Sequence, residues 1–212
     1  MTPPRVAVCL HGFLRTGLSM YPVRRRLRAE GYAEVVCPTW RYELSPLAEL
    51  GRRAAALIQD LSARHGGVQV DAVTHSMGGL VVRSALTAAP SLGRVVMLAP
   101  PNQGAQLAAR VRRVVPVHRV GWDPLGPLLP GKPSELPLFP DDVDVGVLIG
   151  GTGAARGFSR LVDGDNDGKV RVEEARLPGA REFRVVPYRH PLVMARRPVL
   201  DLVVRFLARG AF

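Results

Sequence analysis

One serine of this sequence has the neighbours that nucleophilic catalysis needs. The apolar, β-branched run 70–73 leads through Thr74 and His75 to Ser76, and a helical pattern begins at Met77. So tight a strand-to-helix turn forces a serine into a strained backbone conformation and exposes its Oγ at the mouth of a site. Gly78 lets the following helix approach without a Cβ clash. The pattern predicts that Ser76 is the nucleophile of an acyl-transfer reaction.

A serine hydroxyl is a poor nucleophile at neutral pH, so it needs a base and a group that orients the base. In the hydrolase arrangement the chain order is serine, acid, histidine. Two histidines, His118 and His190, follow Ser76. His118 precedes every well-placed acid, whereas His190 comes just after a strand-like run and can reach the strand ends. We therefore predict His190 as the base.

Three aspartates follow the fifth strand-like run and could orient that base: Asp163, Asp165 and Asp167. Asp167 fits best because Gly168 and then the apolar Val170 follow it. The other two aspartates remain open as alternatives.

The same segment matches the calcium-loop pattern D-x-D-x-D-G-x5-E, with Asp163, Asp165, Asp167 and Glu174 as ligands. An EF-hand needs an amphipathic helix on each side, but residues 150–157 are rich in glycine and residues 175–180 contain proline and glycine. Calcium binding is therefore the less favoured interpretation. No metal or organic cofactor is predicted.

The oxyanion of a tetrahedral intermediate needs two backbone N–H donors. Met77, the residue after the serine, would supply one of them at the start of its helix. The sequence Leu10-His11-Gly12-Phe13 directly follows the first strand-like run, so the Phe13 amide is the candidate for the second.

Short apolar strand-like runs alternate with amphipathic helical runs along the chain, and this alternation predicts a parallel sheet with helices on both faces. The best helix covers 47–64, where apolar residues recur at three- and four-residue spacing. Further helices are predicted over 18–30, 77–89 and 192–207. The predicted strands are 5–10, 34–37, 68–73, 94–99, 143–150 and 182–187. Residues 100–142 interrupt the alternation with many prolines and glycines and one basic helical piece, 103–115. This stretch is predicted to be a lid-like insertion.

The 212 residues, 47% of them hydrophobic, are enough for one substantial core, so residues 1–212 are predicted to form a single domain. No apolar run approaches the length of a membrane span. Residues 1–5 show no secretory leader, and cytoplasmic residence is the default expectation. Cys9 and Cys37 are expected to be free thiols, with a disulfide as the alternative.

A net charge of +11 suggests a polyanionic partner. However, the arginines are spread along the whole chain, aromatic residues are few, and no motif of a nucleic-acid-binding fold is present. No nucleic-acid partner is predicted. Peripheral contact with an anionic membrane through the basic segment 105–115 remains an alternative.

These pieces resemble the α/β-hydrolase superfamily, in particular small lipases and esterases such as bacterial triacylglycerol lipases and the lipase-like domain of inositol-deacylating enzymes. The matching segments are 10–13, 74–79, 99–104, 166–170 and His190. The resemblance implies a triad of Ser76, Asp167 and His190 on a minimal sheet of six parallel strands in the order 2-1-3-4-5-6. Thr74 departs from the family pattern, which has glycine at the first position of the turn, and its bulk could alter the turn.

The expected function is therefore that of a serine hydrolase acting on small-molecule or lipid carboxylic esters. The same triad could serve a thioesterase or an acyltransferase, because the sequence does not determine the acceptor. A non-catalytic protein on a hydrolase scaffold, binding calcium or a membrane surface, is a more distant alternative. The sequence gives no indication of the oligomeric state.

Overall fold

A computed structural model describes residues 3–88, 90–114 and 123–212. Its centre is one sheet of six parallel strands in the order β2-β1-β3-β4-β5-β6. This confirms the predicted strand number, direction and order. The strands are β1 (Val6–Leu10), β2 (Glu34–Val36), β3 (Val70–His75), β4 (Leu92–Leu98), β5 (Val145–Gly150) and β6 (Glu182–Val186).

Strands β1 and β5 carry no polar side chain because they are covered on both faces. Every residue of β1 and of β5 is buried. Helices flank the sheet in two pairs, since α1 packs with α5 and α2 packs with α3. These helices are α1 (Tyr21–Ala29), α2 (Leu47–Arg64), α3 (Gly78–Ala85) and α5 (Arg197–Arg209).

The helix predicted over 47–64 has those bounds, whereas two other predicted helices begin later than expected. The run predicted as a helix from Leu18 opens with a 3-10 turn, Gly17–Met20, and becomes α-helical at Tyr21. The run predicted from Leu192 contains a 3-10 turn, Val193–Ala195, before α5. In both cases a proline lies within the first two positions of the α-helix. An N–H at these positions has no partner within the helix, so a proline there costs no hydrogen bond.

In its described residues, the insertion predicted over 100–142 carries one α-helix, α4 (Gln106–Val114), and two 3-10 turns, Gly126–Leu128 and Lys132–Glu135. Residues 115–122, and with them His118, lie outside the described part of the chain. The insertion folds back on itself where the Ala105 N–H donates to the Leu128 carbonyl at 2.8 Å. Its role as a lid stays a prediction.

A buried arginine attaches the insertion to the helix after β3. Arg83 of α3 is 1% exposed. Its Nε donates to the Pro137 carbonyl at 3.1 Å and its Nη2 to the Leu136 carbonyl at 2.9 Å. Burial lowers the pKa of this guanidinium to about 10, so it stays charged at neutral pH. The insertion is therefore held through its own backbone.

Within the described ranges no helix is both long and apolar enough to cross a membrane. Cys9 and Cys37 are both free thiols, the first buried and the second half-buried.

Candidate active site

Ser76 lies in a strained turn between β3 and α3. Its φ is 52°, a left-handed conformation that non-glycine residues rarely adopt. Two hydrogen bonds hold the turn: the Ser76 N–H donates to the Leu98 carbonyl at 2.8 Å, and the Gly79 N–H donates to the Ser76 carbonyl at 2.9 Å. A Cβ at Gly78 would lie 2.5 Å from the Leu10 carbonyl oxygen, so this position requires glycine.

Thr74 does not prevent this turn. It is fully buried in β3, paired with Leu10 of β1 and with Met97 of β4. Its hydroxyl finds no hydrogen-bond partner among the described residues. The extra bulk is thus accommodated inside the sheet, at the cost of one unsatisfied hydroxyl.

Asp167 and His190 are in direct contact at the ends of β5 and β6. The His190 Nδ1 lies 2.6 Å from the Asp167 Oδ2, and both side chains are almost completely buried. The backbone adds a second link, because the His190 N–H donates to the Asp167 carbonyl at 2.8 Å. The other carboxylate oxygen, Oδ1, accepts the N–H groups of Lys169 and Val170 at 2.9 and 2.8 Å. The carboxylate is therefore fixed on both oxygens.

The remaining carboxylates of the calcium-loop pattern have separate partners. Asp163 is exposed and pairs with Arg110 at 3.0 Å. Asp165 accepts the N–H groups of Thr152 and Gly153 at 2.8 and 2.9 Å. In the described part of the chain, no group of three or more His, Cys, Asp or Glu side chains is placed to hold a metal ion.

Glu174, the last residue of that pattern, has a structural role instead. It accepts the N–H of Gln106, the first residue of α4, and the N–H of Arg171, both at 2.8 Å. Its burial raises the pKa of the carboxyl group. A carboxylate at this end of a helix also interacts favourably with the helix dipole.

The loop after β1 brings the Phe13 amide to the same edge of the sheet. His11 is buried there; its Nδ1 donates to the Gly12 carbonyl at 2.8 Å, and its Nε2 accepts the Trp40 N–H at 3.2 Å. In a trans peptide the N–H points away from the preceding carbonyl. By holding the Gly12 carbonyl, His11 therefore orients the Phe13 N–H to the opposite side. Within the described ranges, neither the Phe13 nor the Met77 N–H donates to another backbone group.

Solved structures resemble the fold over nearly the whole chain. Lipase BlEst2 of Bacillus licheniformis, in its mature form, superposes with a TM-score of 0.76 at 19% identity, covering 100% of this chain and 94% of the lipase. Phospholipase PlaB of Legionella pneumophila gives 0.70 at 17% identity, covering 98% of this chain and 60% of that one. A Silicibacter protein provisionally assigned as a thioesterase gives 0.65 at 17% identity, with 98% and 76% covered. The chain has the α/β-hydrolase fold.

Comparison by sequence adds little to the α/β-hydrolase assignment. Residues 47–120 match the model of a domain of unknown function, DUF7379. No curated protein matches the chain at a significant level.

A cavity of about 430 Å³ opens beside Ser76 and His190, in the position where α/β-hydrolase folds bind ligands, at the carboxyl ends of the strands. The insertion supplies most of one apolar wall through Leu107, Val111, Leu125 and Leu128. A concavity of about 470 Å³ elsewhere includes Arg5, Asp71, Arg94 and Asp144 in its lining, and these four side chains already form ion pairs. The cavity beside Ser76 brings together Ser76, His190 and an apolar wall.

His75 is a residue of the site that sequence reasoning missed. It is 1% exposed and lines the cavity beside Ser76. Its Nε2 is 3.1 Å from the His190 carbonyl oxygen, and the two rings lie 4.8 Å apart. Burial and the neighbouring His190 hold the pKa of His75 well below its usual value, with Arg15 and Lys169 adding repulsion. The predicted strand ended at residue 73, so sequence reasoning placed this histidine in the turn, whereas it is the last residue of β3. The sequence carried no signal of its contact with a loop 115 residues away.

Proposed function

We propose that this protein is a serine hydrolase that cleaves carboxylic esters, with Ser76 as nucleophile, His190 as base and Asp167 as the acid that orients the base. The observation that carries the proposal is the 2.6 Å contact between the His190 Nδ1 and the Asp167 Oδ2, made at the wall of the cavity that Ser76 also lines. The fold is one in which serine hydrolases occur, and the neighbours named above include a lipase and a phospholipase.

The proposed reaction begins with attack of the Ser76 Oγ on the acyl carbon. His190 donates from Nδ1 to Asp167, which leaves its Nε2 unprotonated and able to accept the serine proton. The Asp167 carboxylate then stabilises the imidazolium. The proton passes to the leaving alcohol, and a water molecule activated by the same histidine releases the acid.

The N–H groups of Phe13 and Met77 are proposed to stabilise the oxyanion. Met77 is at the start of α3, where N–H groups have no partner within the helix. Phe13 is oriented by His11 as described above. Losing one such donor typically costs about a hundred- to a thousandfold in kcat.

The proposal is tested with Ser76→Ala, and Ser91→Ala, an exposed serine remote from the cavity, serves as the matched control. We expect Ser76→Ala to lose labelling by a fluorophosphonate probe and to lower kcat on nitrophenyl esters by at least about 10³. The control should behave as wild type. Undiminished labelling of Ser76→Ala at unchanged circular dichroism would refute the assignment of the nucleophile.

The nature of the leaving group is tested with matched substrates. A panel of nitrophenyl esters of rising acyl length is compared with the corresponding acyl thioesters, and an added alcohol serves as acceptor. The proposal expects the oxygen esters to be cleaved faster, with water as acceptor. Faster cleavage of thioesters, or transfer to the alcohol, would replace ester hydrolysis by thioesterase or acyltransferase activity.

A further inference from the structure

Two cationic side chains, Arg15 and Lys169, line the largely apolar cavity beside Ser76. We infer that this cavity binds an amphiphilic anion, in which an apolar chain carries a phosphate or carboxylate group that Arg15 and Lys169 hold. The inference deepens the proposed function and rests on it. The substrate would be an ester that joins an apolar acyl group to an alcohol, and the alcohol would carry the anionic group.

Arg15 comes from the loop after β1. Its N–H donates to the Gly12 carbonyl at 3.2 Å, and this hydrogen bond fixes the turn that carries it two residues beyond Phe13. The side chain is half-buried and lines the cavity. No salt bridge involves Arg15 among the described residues.

Lys169 comes from the loop after β5, two residues beyond Asp167. Its N–H donates to the Asp167 Oδ1 at 2.9 Å, so its backbone is as firmly held as the carboxylate itself. In the sheet order, β1 and β5 lie on opposite sides of β3. The two cations therefore approach the cavity from opposite sides of Ser76.

The absence of acidic residues from this cavity distinguishes these two cations from their neighbours. No Asp or Glu is among the described residues that line it. On the adjacent helix α4, by contrast, Arg110 pairs with Asp163 and Arg112 pairs with Asp123 at 3.0 and 2.6 Å. The high net charge of the chain does not explain why the described cavity lining holds two cations and no acidic residue, because Asp163 and Asp123 pair with arginines on the adjacent helix.

The remaining wall fits a hydrocarbon chain. Leu107, Val111, Leu125 and Leu128 give the cavity an apolar side, and burying such a chain is favourable in proportion to its area. An arginine fork recognises phosphate and carboxylate oxygens in a bidentate way, and a lysine adds a point charge. A ligand with an apolar chain and an anionic group can therefore contact the apolar wall and the two cations at the same time.

The test measures binding rather than turnover, so its outcome does not depend on ester cleavage. Wild-type protein is titrated calorimetrically with octyl phosphate, octanoate, octan-1-ol and inorganic phosphate at fixed ionic strength. We expect octyl phosphate or octanoate to bind at least about tenfold more tightly than octan-1-ol and than inorganic phosphate. The better ligand of the two identifies the anionic group.

The double variant Arg15→Gln/Lys169→Gln should lose at least about tenfold in affinity for that anion. The matched control is Arg25→Gln/Arg205→Gln, which removes the same charge from exposed positions on α1 and α5 and should change the affinity by less than about twofold. Equal affinity in the double variant and the wild type would refute the inference. Octan-1-ol or inorganic phosphate binding as tightly as the better of the two amphiphilic anions would also refute it.

An activity measurement separates this inference from the proposed function. We expect the ratio of kcat/KM for an octanoylglycerol phosphate over octanoylglycerol to fall about tenfold in the double variant and to stay constant in the control. Cleavage of both substrates without preference would refute the anion site alone. Cleavage of neither, with intact binding of octyl phosphate, would refute the ester hydrolase and leave the anion site standing.

Discussion

The imidazole of His75 donates from Nε2 to the backbone carbonyl of His190 at 3.1 Å. A carbonyl can only accept, so the proton of His75 is on Nε2, and Nδ1 has no partner within the described part of the chain. The residue next to Ser76 therefore holds the backbone of the loop that carries His190. We regard His75 as a positioning residue that fixes the distance between Ser76 and His190, the proposed nucleophile and base.

Replacing His75 tests this role. His75→Phe keeps a ring but removes the donor, and we expect it to lower kcat by up to about a hundredfold, because small displacements of reacting groups are costly. KM on a short ester should change little. His75→Gln, whose amide can donate from a similar position, should recover part of the rate. Equal activity of the Phe and Gln variants would contradict a role for the hydrogen bond.

Stability should fall in acid because two histidines are held neutral in the fold. Burial lowers the pKa of His75 and of His11 below the usual value of 6.5. Between the folded and unfolded pKa values the unfolded chain binds more protons, so stability is full above about pH 6.5 and declines as the pH falls. Urea unfolding at pH 8 and pH 5.5 should show a smaller acid loss for His75→Phe than for wild type. The same loss in both proteins would contradict this prediction.

His11 should affect the oxyanion donor without touching the substrate. Its ring stacks on Tyr42 with centroids 4.3 Å apart while Nδ1 holds the Gly12 carbonyl. His11→Phe keeps the stacking and loses the donor, so we expect kcat to fall by about ten- to a hundredfold, less than for loss of the donor itself. His11→Asn places an amide N–H near the position of Nδ1 and should be less impaired. The measurement is kcat and KM on one nitrophenyl ester; a change confined to KM would count against the orienting role.

Arg83 should be important for the attachment of the insertion. Arg83→Met leaves the carbonyls of Leu136 and Pro137 without their donor, and we expect the free energy of unfolding to fall by roughly 2–4 kcal/mol. Arg25→Met, at an exposed position, is the control and should be close to neutral. Urea unfolding measures both. Faster proteolysis within 123–137 in the Arg83 variant would identify the insertion as the part that is released.

Chelation should have little effect on activity. The four carboxylates of the calcium-loop pattern have separate partners, and Asp167 is occupied by His190. We expect EDTA to change ester hydrolysis by less than about twofold, since a loop of this pattern needs its carboxylates together on one ion. A large loss that added Ca²⁺ restores would revive the calcium interpretation.

Local patterns predicted the elements well and their contacts poorly. The period of apolar residues defined the bounds of α2, and strand-helix alternation led to the correct sheet. The calcium-loop pattern gave no information on contacts, because spacing along the chain does not say where carboxylates point, and the four carboxylates have separate partners in the structure. The contacts of His75 and Arg83 join residues 115 and 53 positions apart, and such contacts depend on packing that no short window of sequence contains.

The attachment through Arg83 affects which residues of the insertion are free to change. The cavity wall residues Leu107, Val111, Leu125 and Leu128 all belong to the insertion, whereas Ser76, Asp167 and His190 lie outside it. Arg83 holds main-chain carbonyls, which every sequence provides whatever its side chains. The side chains of the insertion, including those of the cavity wall, can therefore change while its attachment to α3 is kept.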